Sequence, residues 1–79
     1  MKRYRNASGD SGISHYEVGA DYIRLRFLGS QKIYEYNNRI NGSKHIEQMK
    51  DLAEAGSGLS TYIAQHPEVR DNYKEIQLK

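Results

Sequence analysis

The stretch Tyr22-Ile23-Arg24-Leu25-Arg26-Phe27 decides the fold. Ile23, Leu25 and Phe27 alternate with Arg24 and Arg26, and period-two alternation marks a strand with one buried and one wet face. On its N-terminal side, Ile13 to Val18 sets Tyr16 and Val18 against His15 and Glu17; on its C-terminal side, Lys32 to Tyr36 alternates Tyr34 and Tyr36 with Ile33 and Glu35. The loops between these segments fix a register. If Leu28-Gly29-Ser30-Gln31 is a four-residue hairpin loop, Phe27 pairs with Lys32, Leu25 faces Tyr34, Ile23 faces Tyr36, and Arg24 lies opposite Glu35. A loop of Gly19 to Tyr22 pairs Val18 with Ile23, Tyr16 with Leu25, and Glu17 with Arg24. Both hairpins give one three-stranded antiparallel meander with an apolar inner face and charge pairs outside. A slip of one residue would bury Glu17, Arg24 and Glu35, a costly outcome.

Past Asn37-Asn38 the period lengthens. Ile46, Met49, Leu52 and Ala53 recur at helical spacing, Lys50 and Glu54 form an i,i+4 pair, Ser43 offers an N-cap, and Gly56 stands where a left-handed C-terminal residue is wanted. These residues predict an amphipathic helix over 44–55. Ser57 or Ser60 can cap a second short helix running to Gln65, and Pro67 opens a last turn or helix carrying Val69, Tyr73 and Ile76. The expected fold class is α+β: a three-stranded antiparallel meander, an amphipathic helix packed on one face, and one or two short C-terminal helices.

Composition limits what such a fold can do. Of 79 residues only 15 are Leu, Ile, Val or Phe, supplemented by seven Tyr, and there is no Cys. A chain this short buries only about 60% of its unfolded surface, so one domain is expected, with too little core for an enzyme's concave site. Without cysteine there is neither a disulfide framework nor a thiolate metal site, and a reducing, cytoplasmic setting is the expectation. No apolar segment follows Lys2, Arg3 and Arg5, so no secretory signal is read, and no apolar run approaches the roughly 20 residues that span a bilayer. Residues 1–12 read as a flexible basic arm and 13–79 as the single domain. Within the arm, Gly9-Asp10-Ser11-Gly12 matches the nucleophile segment of trypsin-like proteases, but a chain of this length cannot supply their two barrels.

Together these residues resemble a known family. Ser11 to Tyr16 ahead of a strand, then Ile23-x-Leu25-x-Phe27, the Gly29 turn, Tyr34-Glu35-Tyr36, a helix, a Ser/Gly joint at 56–58 and Tyr62-Ile63-x-x-His66 are similar to the KTSC domain, over roughly residues 11–73. Glu17-Val18 replaces the family's usual Asp-Pro, and Ala64 its usual Asn. The resemblance implies a stand-alone bacterial module, also found at the C-terminus of some lysyl-tRNA synthetases. It implies no reaction, since the family has no established biochemical role.

The net charge is only +2, yet the basic excess lies in the first 40 residues. Lys2, Arg3, Arg5, Arg24, Arg26 and Arg39, with Tyr22 nearby, therefore form the candidate nucleic-acid surface, because arginines bind phosphate and an exposed tyrosine stacks an unpaired base. In the predicted register Glu17 and Glu35 flank Arg24, and a solvated face with cross-strand ion pairs is the competing reading. Tyr34 and Tyr36 face inward by parity and read as core; in the other reading, Tyr34, Tyr36 and Tyr62 line a groove between sheet and helix. His15, His45 and His66 fall on three different elements and read as surface or capping residues, so neither a metal nor a small-molecule cofactor is expected. The expected function is a non-enzymatic accessory module binding RNA or tRNA. The alternative is a protein-interaction or self-associating module that pairs through an open strand edge, since neither outer strand of the meander carries a proline.

Overall fold

Residues 1–7 and 12–77 are described by the structure, a computed structural model. In chain order they form strands β1 (Lys2–Arg3), β2 (Ile13–Val18), β3 (Tyr22–Phe27) and β4 (Lys32–Asn37), helices α1 (Asn38–Asn41), α2 (Ser43–Ala55), α3 (Leu59–Gln65) and α4 (Pro67–Arg70), and strand β5 (Lys74–Gln77). The architecture is α+β, with one antiparallel sheet in the order β1-β2-β3-β4-β5. Around β3 the pairs are Val18 with Ile23, Glu17 with Arg24 and Tyr16 with Leu25 on one side, and Ile23 with Tyr36, Arg24 with Glu35 and Leu25 with Tyr34 on the other. Ile23, Leu25, Tyr16 and Tyr36 form a core with Ile46, Met49 and Ala53 of α2, Leu59 and Ile63 of α3, and Val69 of α4. Each large apolar side chain enclosed there contributes about 1.5–3 kcal/mol.

Strict alternation would put Ile13 outside with His15 and Glu17, yet it is only 1% exposed. A bulge explains this. His15 pairs with Arg26 but Ile13 pairs with Phe27, so Ser14 is the extra residue, and the parity of everything before it is reversed. The Ser14 hydroxyl donates to the Arg26 carbonyl at 3.0 Å, holding the irregular point on its partner strand.

Several expectations need correction. The first concerns the N-terminal arm, of which residues 8–11, including most of the Gly-Asp-Ser-Gly segment, lie outside the described residues. Residues 2–7 belong to the fold. Lys2 pairs with Tyr16 and Arg3 with His15, while Tyr4 is 4% exposed and meets Tyr16 edge to face. The physical reason is the thin core: Tyr4 supplies a ring to it, and its hydroxyl accepts a hydrogen bond from the Leu59 N–H, a donor that the start of α3 cannot satisfy internally. No serine side chain caps α3 or α2, where Gly58 and Gly42 occupy the cap positions. Asn37 does cap α1, accepting from the Ile40 N–H at 2.9 Å.

The second correction concerns the sheet, which has five strands where three were expected. β1 and β5 pair with β2 and β4, the two strands expected to have open edges. The third is the C-terminal segment. α4 stops at Arg70, and Tyr73 and Ile76 are not helical. Asn41 donates to the Asn72 carbonyl at 2.8 Å, and Ile76 pairs with Ile33, a residue buried on the outer face of the sheet. An exposed isoleucine and an unpaired β4 backbone outweigh the helical spacing of Val69, Tyr73 and Ile76.

The N-terminal segment is clamped at Gly56, the left-handed end of α2 (φ +79°), whose carbonyl accepts from the Ala7 N–H at 2.8 Å. A Cβ added at Gly56 would overlap the side chain of Arg5. Gly56→Ala therefore combines left-handed strain of about 1–2 kcal/mol with displacement of Arg5. The expected result is a loss of about 2–3 kcal/mol in urea unfolding, with early proteolytic cleavage near the N-terminus.

Candidate functional site

β3 and β4 present aromatic residues to the cleft between the sheet and α3. Phe27, Tyr34, Tyr36 and Tyr73 form one wall and Ser60, Ile63 and Ala64 of α3 the other, with Arg70 beside them, enclosing about 340 Å³. Tyr73 stacks on Tyr34 with ring centres 4.6 Å apart and remains 39% exposed, while Phe27 lies 5.3 Å from Tyr34. Burial, together with the neighbouring Tyr73 and Tyr34 hydroxyls, pushes the Tyr36 phenol up to about 12. The cleft favours neutral, flat, apolar surface.

Phe27 also lines the next hollow, of about 390 Å³, together with Ser14, His15, Arg26 and the 28–31 turn. That hollow in turn shares Ser14, His15 and Leu28 with a third, of about 280 Å³, lined by Arg3, Tyr4 and Arg5. Phe27 links the first hollow to the second, and Ser14, His15 and Leu28 link the second to the third, a track of hollows joined through shared residues. No carboxylate lines any of them among the described residues. Among those residues no acid pairs with Arg3, Arg5 or Arg26; Arg26 Nε donates instead to the Ser30 carbonyl at 3.1 Å. Arg70 pairs with Asp71 at 3.1 Å in an exposed contact that a stronger anion can displace.

The candidate surface read from the sequence is thereby divided. Arg3 and Arg26 flank His15 from the neighbouring strands, and Arg5 shares a hollow with Arg3. Arg24 does not join them: it donates to Glu35 at 2.8 Å and Glu17 at 3.1 Å, and its guanidinium lies 4.5 Å over the Tyr22 ring. The Glu35 bond raises the Arg24 pKa further, and Glu35 stays ionised because bonds from Asn37 and Arg24 outweigh its burial. Tyr22 is committed as well, donating to Glu17 at 3.2 Å. Lys2 faces Glu17 and Glu54 in a separate hollow. Arg39 is exposed on α1, which follows the Asn37 end of β4, whereas Arg26 pairs near its start.

Tyr34 and Tyr36 reconcile their two readings: Tyr36 is core, and both line the cleft. Tyr62 does not line it. Its hydroxyl lies 2.6 Å from His45 Nδ1 and its ring stacks on His66, so the histidines read as unrelated are neighbours. Burial, then the charge of Glu68, raises the Tyr62 pKa. Sequence reasoning missed Tyr73, Arg70 and His15 as parts of the track. For Tyr73 the available signal was Lys74-Glu75-Ile76, a short alternating segment that β4 could pair with.

No family model matches this chain, and neither a curated protein nor a solved structure matches it. Among the described residues, no helix is long and apolar enough to cross a membrane.

Proposed function

We propose that this protein is a small non-enzymatic module that binds single-stranded RNA along the track, with an unpaired base in the aromatic cleft and phosphates against Arg26, Arg3 and Arg5. The observation that carries the reading is that Phe27 lines both the aromatic cleft and the hollow of Arg26, a cation with no acid partner among the described residues. Aromatic platforms bind any base through its π face, and arginines follow the backbone, a pairing that suits single strands better than duplexes. The likeness to KTSC domains read from the sequence motifs points the same way by analogy, through the family's occurrence in lysyl-tRNA synthetases. Pairing through a strand edge has less to draw on, since among the described residues the outer strands of the sheet are the two residues of β1 and the four of β5.

Fluorescence anisotropy with a labelled single-stranded oligonucleotide tests the proposal. Binding should weaken with salt at a log–log slope of about −0.7 per phosphate contacted. Arg3→Glu with Arg26→Glu should lower affinity by about 10-fold or more and flatten the slope. Tyr73→Ala, which loses a stacking platform worth about 1–3 kcal/mol, should weaken binding with the slope unchanged. No binding at low salt, or equal binding by all three proteins, would remove the reading.

A further inference from the structure

His45 sits on the first turn of α2, His66 at the joint between α3 and α4, and Glu68 on α4, positions that no sequence spacing connects. The fold brings them together: one ring nitrogen from each histidine and one carboxylate oxygen lie within 4.8 Å of one another. From this geometry we propose a zinc site with His45, His66 and Glu68 as ligands and a fourth position open to solvent.

The protein positions of the ring nitrogens support it. His66 Nδ1 lies 2.7 Å from the Tyr62 carbonyl, which can only accept, so Nδ1 carries a proton and the neutral ring keeps its lone pair on Nε2. His45 Nδ1 lies 2.6 Å from the Tyr62 hydroxyl, which can accept from it, freeing His45 Nε2. One residue, Tyr62, thus orients both rings, through its backbone for one and its side chain for the other. Hydrogen-bonded outer partners of this kind fix the tautomers of metal-bound histidines.

Distance favours a metal over a direct hydrogen bond. His45 Nε2 lies 3.4 Å from Glu68 Oε2, longer than the usual N–H···O range. Two donors each about 2.0–2.1 Å from a tetrahedral zinc stand about 3.3–3.4 Å apart. The Glu68 side chain, 59% exposed, is the ligand with room to adjust toward His66, while Tyr62 holds both rings. Two imidazoles and a carboxylate suit zinc, whereas calcium and magnesium prefer all-oxygen ligands. Zinc so held ties α2 to α4, and none of its three ligands lines the aromatic cleft, so the proposal does not rest on the RNA reading.

Calorimetric titration of the untagged full chain with zinc, and with cobalt for its visible absorption, tests the site. One equivalent should bind, raising the melting temperature, with cobalt bands of low-symmetry, four- or five-coordinate character. His45→Ala and His66→Ala should each weaken zinc binding by about 100-fold or more, and Tyr62→Phe by about 10-fold. Because His66→Ala also removes the ring at the end of α3, Glu68→Gln is the decisive variant: exposed, it should leave metal-free melting unchanged and still lose at least about 10-fold in affinity. His15→Ala should bind as wild type. Absence of saturable one-to-one binding, or a Glu68→Gln titration superimposing on wild type, would overturn the proposal.

Discussion

Tyr4→Ala is expected to lower the stability of this protein by about 3–5 kcal/mol, the cost of deleting a buried ring that its surroundings cannot refill. A domain of this size has only about 4–12 kcal/mol in total, so much of the chain should be unfolded at moderate temperature. Three interactions are lost together. The ring leaves the space beside Tyr16, the Leu59 N–H loses its acceptor, and the strand that covers β2 loses its anchor next to the Tyr4 N–H bond to the Ser14 carbonyl. Tyr4→Phe separates these effects. It keeps the ring, loses the acceptor, and should cost about 1 kcal/mol. Urea denaturation of the two variants gives the comparison. Wild-type melting of Tyr4→Ala would mean that residues 1–7 lie outside the cooperative unit.

Tyr4 also shows where sequence reading stops. β2, β3 and β4 were legible because hairpins are local: a short loop sets the register, and alternation then assigns every side chain to a face. Lys2-Arg3-Tyr4 carries no such alternation, and its partner strand begins ten residues later. Its order comes from an unpaired β2 edge and an underfilled core, neither of which is visible in a local pattern. β5 was missed for the same reason, Val69, Tyr73 and Ile76 being helically spaced while the backbone of β4 offered stronger bonds. Ile13 was placed by a bulge at Ser14 that alternation cannot register.

The site was legible in parts. Charge alone grouped all the arginines, but the same register that aligned Arg24 with Glu17 and Glu35 already contained its neutralisation, and the structure shows those bonds formed. Arg26, one pleat further along the same face, pairs with His15 and Ile33 instead, so it meets no acid across the ladder. His45, His66 and Glu68 could not be grouped from spacing, because their proximity depends on how α2, α3 and α4 pack.

Raising the pH should reveal the aromatic cleft. The Tyr36 phenol titrates at about 12, against 10.0 for a free tyrosine, because burial, then the nearby Tyr73 and Tyr34 hydroxyls, disfavours its ionised form. The folded-state value is raised, so the full stabilising contribution is present below pH 10. Between 10 and 12 the unfolded chain releases a proton that the folded chain retains, and stability falls with each increment. The loss approaches a limit of about 2–3 kcal/mol as the pH passes the folded-state value. Tyr36→Phe cannot ionise. No hydrogen bond to the Tyr36 hydroxyl occurs among the described residues, so the variant should match wild type to within about 1 kcal/mol at neutral pH. Above pH 10 it should become the more stable of the two by a widening margin. Urea midpoints measured from pH 8 to 11.5 supply the test, and subtracting the two curves removes every contribution that both proteins share. Parallel curves would mean that Tyr36 meets water, and that the cleft lacks the apolar wall on which base stacking depends.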